Sequence, residues 1–306
     1  MKTDNINESK NIEDRRGQSS SSGYSYGSGS GSSLNTGLLS LIFSRMGWKG
    51  KILLLLVFLM FGGMSSLGNL GLGSSSINYN SYDTSQVESA PSDVSDEEAV
   101  FMSKVLATTE EFWTQEFAER GKTYSAPKMV FYTDAISTGC GQGSTETGPF
   151  YCSADQKVYI DISFYRELTT KYNAAGDFAM AYVIAHEVGH HVQNELGTMN
   201  AYYQKRQTLS EKDANALNVR LELQADYYAG AWAKYVEEQG YLEMGDIDEA
   251  MQAAHAVGDD TLQEEAYGRT MPDSFTHGTS EQRQYWFNRG YQYGDIEHGD
   301  TFSANI

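Results

Sequence analysis

Residues 186–190 read His-Glu-Val-Gly-His, inside a run of apolar residues from Phe178 to Val192. No other feature limits the fold as strongly. Two histidines four apart share one helix face, about 6 Å of rise from each other. His186 and His190 can therefore each offer an imidazole nitrogen to one Zn²⁺. Glu187 is then aimed at the fourth coordination position, where a water would sit. Phe178, Ala179, Ala181, Tyr182, Ile184, Ala185 and Val188 fall on nearly every side of this segment, so the helix is expected to be internal. Asp177 reads as its N-cap and Gly197 as its stop. Polar ligands in so apolar a helix are costly unless something such as a metal satisfies them.

A catalytic zinc takes three protein ligands and keeps one position open. Residues 211–238 form a second helical pattern, with Leu217, Leu221, Ala225, Tyr228 and Trp232 spaced for one face. Within it Glu222 and Asp226 lie one turn apart among Leu221, Leu223 and Ala225, too apolar a setting for a solvated acidic face. Glu222 is the expected third ligand. Asp226 would accept the remaining N–H of a ligating histidine and fix its tautomer. The reverse assignment, Asp226 on the metal, and an ordinary buried hydrogen bond from either acid are the competing readings.

The Glu-x-x-x-Asp element downstream of His-Glu-x-x-His resembles the gluzincin group of metallopeptidases. Longer strings narrow the resemblance: GDFAMAYVIAHEVGHHVQ (176–193), LELQADYYAGAW (221–232), GDIDEAMQAAHAVGDD (245–260), FTHGTSEQRQYWFNRGY (275–291) and the N-terminal ESKNIEDRRGQ (8–18). Together they are similar to the bacterial YpfJ-type neutral zinc metallopeptidases, in patches covering most of the chain. The resemblance implies a peptidase, a metalloendopeptidase by expectation, with one Zn²⁺ per chain and a peptide or protein substrate. It brings no particular substrate with it.

His277 and Arg283 flank Gly-Thr-Ser-Glu-Gln after the second zinc helix. This His-x5-Arg spacing resembles an element of membrane-bound heat-shock and CaaX-type metallopeptidases, which implies a role in polarising the scissile carbonyl and holding the wall of the site. A fixed donor is needed there on physical grounds, because hydrolysis puts negative charge on the carbonyl oxygen. On the plainer reading Thr276 or Ser280 caps a helix starting near Glu281, His277 is a turn residue and Arg283 pairs at the surface. His191 points away from the shared face of its neighbours and is expected to be a hydrogen-bonded histidine, since a fourth protein ligand would close the site.

The chain has 306 residues, long enough for a sizeable core, but its first fifty are different in kind. Residues 1–51, with the Ser/Gly/Tyr run at 19–33, read as a cytoplasmic disordered tether. Ile52–Leu72 carries no charge over 21 residues and is expected to cross the bilayer once. A cleaved secretory signal is the alternative, because glycines and serines weaken its second half. Arg45, Lys49 and Lys51 precede the apolar run, and Asp83, Glu88, Asp93, Asp96, Glu97 and Glu98 follow it. That bias puts the N-terminus inside and the later residues outside the cell membrane. Residues 1–51 hold seven Lys/Arg and four Asp/Glu, net +3, so of the total −19 the remainder carries −22. So acidic a surface repels nucleic acid and anionic lipid, and a nucleic-acid role is set aside.

Cys140 and Cys152 flank a Gly/Ser/Thr loop, and on an outward-facing domain the pair suggests one disulfide. Free thiols, or a zinc site from these two, are the weaker readings. After a linker over 73–94, residues 95–306 read as the metallopeptidase domain. Ser95 to Glu98 forms a capping box opening a helix to about Glu119, with Val100, Phe101, Val105, Leu106, Phe112 and Phe117 on its apolar side. Lys128–Tyr132 and Lys157–Ile162 read as strands, the second a candidate edge along which a peptide could pair. Short helices are expected over 246–256 and 280–291. The expected class is α+β and zincin-like: a small sheet packed on two metal-binding helices, with a helical C-terminal part and one preceding transmembrane helix. Glu187 would act as general base for the attacking water. The competing class is a membrane-anchored binding module with a structural or vestigial zinc, against which an intact Glu187 argues.

Overall fold

The computed structural model describes residues 1–17, 97–144, 147–171 and 176–306. The Ile52–Leu72 span, the linker, Ser95 of the capping box and the tether beyond Gly17 lie outside these residues. Among the described residues no helix is long and apolar enough to cross a membrane.

The chain is mixed α+β and mostly helical, with strands β1 (Ile12–Asp14), β2 (Lys128–Tyr132), β3 (Ala135–Thr138), β4 (Gly141–Ser144), β5 (Phe150–Cys152) and β6 (Lys157–Asp161). Its helices are α1 (Glu97–Glu119), α2 (Ser163–Lys171), α3 (Asp177–Glu195), α4 (Thr198–Arg206), α5 (Glu211–Glu238), α6 (Asp246–Ala256), α7 (Asp259–Tyr267) and α8 (Ser280–Tyr293). The main sheet has the order β1-β2-β6-β5, parallel except for the β5–β6 pair, and β3 with β4 forms a separate hairpin.

Strand alternation assigns the two sheet faces. Met129, Phe131, Val158 and Ile160 join the helical core. Val130, Tyr132, Tyr159, Phe150 and Cys152 face the other way, into a small cluster closed by Ile136 of the hairpin. The Cys140–Cys152 disulfide ties the end of that hairpin to β5. The strand expected as a free edge, 157–161, lies inside the sheet between β2 and β5, because β5 pairs along it. On that side the edge is β5, and on the other it is β1.

α3 is the internal helix that its all-round apolarity demanded, with Phe178 to Tyr182 and Ile184 to Gln193 all buried. Asp177 is its first helical residue and not its cap. Gly176 takes the cap position, and the first-turn Phe178 N–H is met by a Glu249 carboxylate oxygen of α6 at 3.0 Å. Phe178 stacks on Trp232 of α5 with ring centroids 5.5 Å apart, and the Trp232 indole N–H donates to Thr108 of α1 at 3.0 Å. These contacts lock α1, α3 and α5 into one core. α3 and α5 approach closely because Gly189, inside the His-Glu-x-x-His element, has no side chain. A Cβ there would lie 3.1 Å from the Ala225 carbonyl oxygen. α5 and α8 touch backbone to backbone at Gly230 and Gly290, where a Cβ on either would fall 1.9 Å from a carbonyl oxygen of the other helix.

Residues 1–17, expected in a disordered tether, are packed on the domain. β1 extends the sheet beside β2, Met1 and Ile6 are buried, and the terminal ammonium meets Asp177, Glu243 and Asp246 at 2.9, 3.1 and 3.3 Å. A strand of three residues without a run of β-branched or aromatic side chains leaves little signal in a polar sequence.

Candidate metal centre

The helical spacing of α3 brings His186 and His190 onto one face, and Gly189 lets α5 close on it. Glu222 of α5 then presents Oε2 to both rings, 3.3 Å from His186 Nε2 and 3.4 Å from His190 Nε2. One ligand atom from each of the three residues lies within 4.8 Å of the others. A tetrahedral Zn²⁺ with bonds of about 2.0–2.2 Å has ligand–ligand edges of roughly 3.3–3.6 Å, so the donor set fits zinc in chemistry and the two spacings at Glu222 match such edges.

The opposite edge of each ring is tied down, which decides the tautomers. His186 Nδ1 lies 2.8 Å from Asp226 Oδ1, and His190 Nδ1 lies 2.9 Å from Gln193 Oε1. The Gln193 amide N–H donates to the Leu221 carbonyl at 2.7 Å, so its oxygen must face His190. In the neutral rings that can ligate a metal, both Nδ1 atoms therefore keep the hydrogen and both Nε2 lone pairs are directed at the cluster. Asp226 is on the Nδ1 side of His186, away from the Nε2 atoms that Glu222 faces.

Asp226 is wholly buried and its charge is met from several directions. Besides His186, it accepts from the Tyr182 hydroxyl at 2.6 Å and from Arg283 through Nε and a terminal nitrogen, both at 2.9 Å. Burial works against the carboxylate, but the Arg283 guanidinium and His186 outweigh it and hold its pKa down to about 2. Burial likewise disfavours a charged His186, yet Asp226 raises its pKa to about 9. Glu222 stays well below the usual carboxylate range: burial opposes this, and the histidines His190 and His277 prevail.

Arg283 was expected to line the cleft. It is instead almost fully buried behind Asp226, where it also donates to the Tyr182 hydroxyl at 3.1 Å and the Val257 carbonyl at 3.2 Å. A guanidinium beside a desolvated carboxylate gains more from a bidentate pair than from facing a water-filled cleft. His277 is beside the ligands, with Nε2 3.9 Å from Glu222 Oε2, and its Nδ1 is 2.9 Å from Thr276 Oγ1. The helix that follows is capped by Thr279, which forms a capping box with Gln282. Glu187 is 9% exposed, and its carboxylate has no hydrogen-bond partner among the described residues. His191 turns off the site: Nε2 donates to the Ser125 carbonyl at 2.6 Å and Nδ1 accepts from Tyr151 at 3.1 Å.

Three supporting residues escaped the sequence reading. Gln193, three residues after His190, and Tyr182, four before His186, lie where helical spacing puts neighbours of the ligands, and that spacing was the available signal. Asp259 gave none beyond its place at the start of α7. Its Oδ2 accepts the backbone N–H groups of Thr276, His277 and Gly278 at 2.5, 2.6 and 3.0 Å, holding the loop that carries His277.

The chain is an α+β protein with a candidate metal site of the His-Glu-x-x-His type, two histidines and a glutamate converging from two packed helices. It belongs to the family described as "Putative neutral zinc metallopeptidase", which matches residues 1–302. The chain is 46% identical over 299 residues to the uncharacterized protein YpfJ of Escherichia coli, covering 98% of each. It is 47% identical over 192 residues to the uncharacterized protein Rv2575 of Mycobacterium tuberculosis, covering 59% of this chain and 64% of the relative. No solved structure matches it.

Proposed function

We propose that the chain is a zinc-dependent peptidase of zincin-like architecture that hydrolyses peptide bonds in a peptide or protein substrate. The observation that carries this reading is the pair of 3.3 and 3.4 Å spacings about Glu222 Oε2, with an unpartnered Glu187 on the same helix turn as His186. His186, His190 and Glu222 would hold one Zn²⁺. Bound there, the ion supplies a Lewis acid that acidifies water and polarises a carbonyl.

The chain's own residues account for the rest. Glu187, whose carboxylate is not engaged by any described residue, takes a proton from the attacking water and returns it to the leaving amine. His277, with Nδ1 against Thr276, presents Nε2 on the ligand side, where it donates to the carbonyl oxygen as negative charge develops. Asp226, Arg283 and Gln193 touch no substrate; they hold the two ligating rings in one tautomer and orientation. The burial of all three ligands excludes bulk water from their edges and strengthens each of these interactions.

A pair of full-chain variants tests this. Glu187→Gln should retain near-stoichiometric zinc and the parent's melting temperature while losing cleavage of any peptide the parent cuts, because an amide is no base. His190→Ala should lose the metal. A Glu187→Gln protein as active as the parent would end the peptidase reading.

A further inference from the structure

The N-terminal segment is bound to the metal-site domain by bonds that no bilayer can lie between. Ile12–Asp14 pair in parallel with Met129–Phe131, and the ladder continues at each end: Met129 N–H donates to the Asn11 carbonyl and Arg15 N–H to the Phe131 carbonyl, both at 2.8 Å. Upstream, Ser9 N–H reaches the Ser103 carbonyl at 3.3 Å, and the Ser9 hydroxyl and Asn11 amide both donate to Glu110 at 2.7 and 2.8 Å. Lys104 donates to the Thr3 carbonyl at 3.0 Å, and Lys2 N–H to the Tyr241 carbonyl at 2.8 Å. Ile6 is 7% exposed within the main core. The segment thus meets α1, β2 and the turn before α6, and it supplies one of the two edge strands of the sheet. Without it, β2 would show an open edge of unpaired backbone groups.

We propose that residues 1–17 and the 97–306 domain fold together in one compartment, on the same side of any bilayer. A bilayer's hydrocarbon core is about 30 Å thick, and hydrogen bonds of about 3 Å cannot join groups on its two sides. The opposite arrangement, N-terminus inside and domain outside, rests on Arg45, Lys49 and Lys51 preceding the apolar run. That charge bias orients a segment that crosses once; it is no evidence that one does. The strand pairing is evidence about the two flanks, and it puts them on the same side. None of this depends on what the metal site does.

The experiment uses the full chain in intact cells. Lys10 of the N-terminal segment and Lys205 of α4 are suitable positions, the first exposed and the second exposed. Lys10→Cys and Lys205→Cys are made separately, and each variant is treated with a membrane-impermeant maleimide in spheroplasts and again after detergent. The parent, whose two cysteines form the disulfide, is the blank. Both variants label after detergent and keep the parent's melting temperature, because both positions are exposed and the substitutions leave the fold intact. The expected result is that the two behave alike before detergent, both labelled or both protected. If one is labelled and the other protected, the segment and the domain are on opposite sides, and the proposal is overturned.

Discussion

His186 Nδ1 and Asp226 Oδ1 are 2.8 Å apart, and this contact decides which nitrogen of His186 faces the metal cluster. Asp226 could not do this alone, since a bare buried carboxylate would be protonated or expelled. Arg283 supplies the compensating charge, so the orientation of one candidate metal ligand depends on a residue of α8, far from α3 in sequence.

Asp226→Asn should therefore weaken zinc binding by ~10–100-fold, as loss of a partner behind a metal ligand typically does. It should also destabilise the fold by roughly 3–5 kcal/mol, because the Arg283 guanidinium is left buried without its anion. Chelator competition measures the first effect and urea unfolding of the metal-free chain the second. Zinc affinity equal to the parent's would show that Asp226 does not orient His186.

Zinc binding should strengthen as pH rises. In the metal-free chain Asp226 raises the pKa of His186 to about 9 against the pull of burial, so at neutral pH the ring is an imidazolium that must lose a proton to ligate. Because the usual value of 6.5 is raised, the charged ring stabilises the metal-free fold fully below about 6.5, and this is lost as pH climbs through about 9. Apparent affinity should climb over the same range and level off above it. Calorimetry in two buffers of different ionisation enthalpy at pH 7 should detect proton release. A pH-independent affinity between about 7 and 9 would contradict the assignment.

Gly230→Ala and Gly290→Ala should each lower the melting temperature although neither residue is near the metal. A methyl group at either position meets a carbonyl oxygen of the facing helix at 1.9 Å, so α5 and α8 must separate. Overpacking of this kind costs about 1–3 kcal/mol or more. Because α8 carries Arg283 and α5 carries Asp226, zinc affinity should fall with stability. Unchanged melting in both variants would mean that the helices do not cross there.

The candidate cluster of His186, His190 and Glu222 is legible because its histidines follow one rule, the four-residue helical repeat, and because acids in an apolar helix stand out. Asp226 was legible for the same reason. For Arg283 the sequence suggests the cleft wall. Spacing placed it near the site, while only three-dimensional packing shows that its donors turn to Asp226 and Tyr182. The β5 edge was missed because three residues, Phe-Tyr-Cys, are too few to show a period. The docking of residues 1–17 leaves little sequence signal because a three-residue strand shows no period and its other bonds, from scattered polar groups, reach segments far away in the chain.

Asp259→Ala should lower kcat by about tenfold or more with little change in KM and none in zinc content. The buried carboxylate accepts three consecutive N–H groups of the loop 276–278, and the alanine variant leaves all three without that acceptor. The loop then no longer fixes His277, whose loss as a donor to the developing charge would itself cost ~10²–10³ in turnover. Asp259→Asn keeps an acceptor oxygen and should recover part of the rate. A general loss of stability would move melting temperature and rate together in both variants, whereas an effect through His277 has another signature. The double variant Asp259→Ala/His277→Ala should be no slower than His277→Ala, because the second change removes the only group through which the first acts. Additive losses in that double variant would show that Asp259 acts elsewhere.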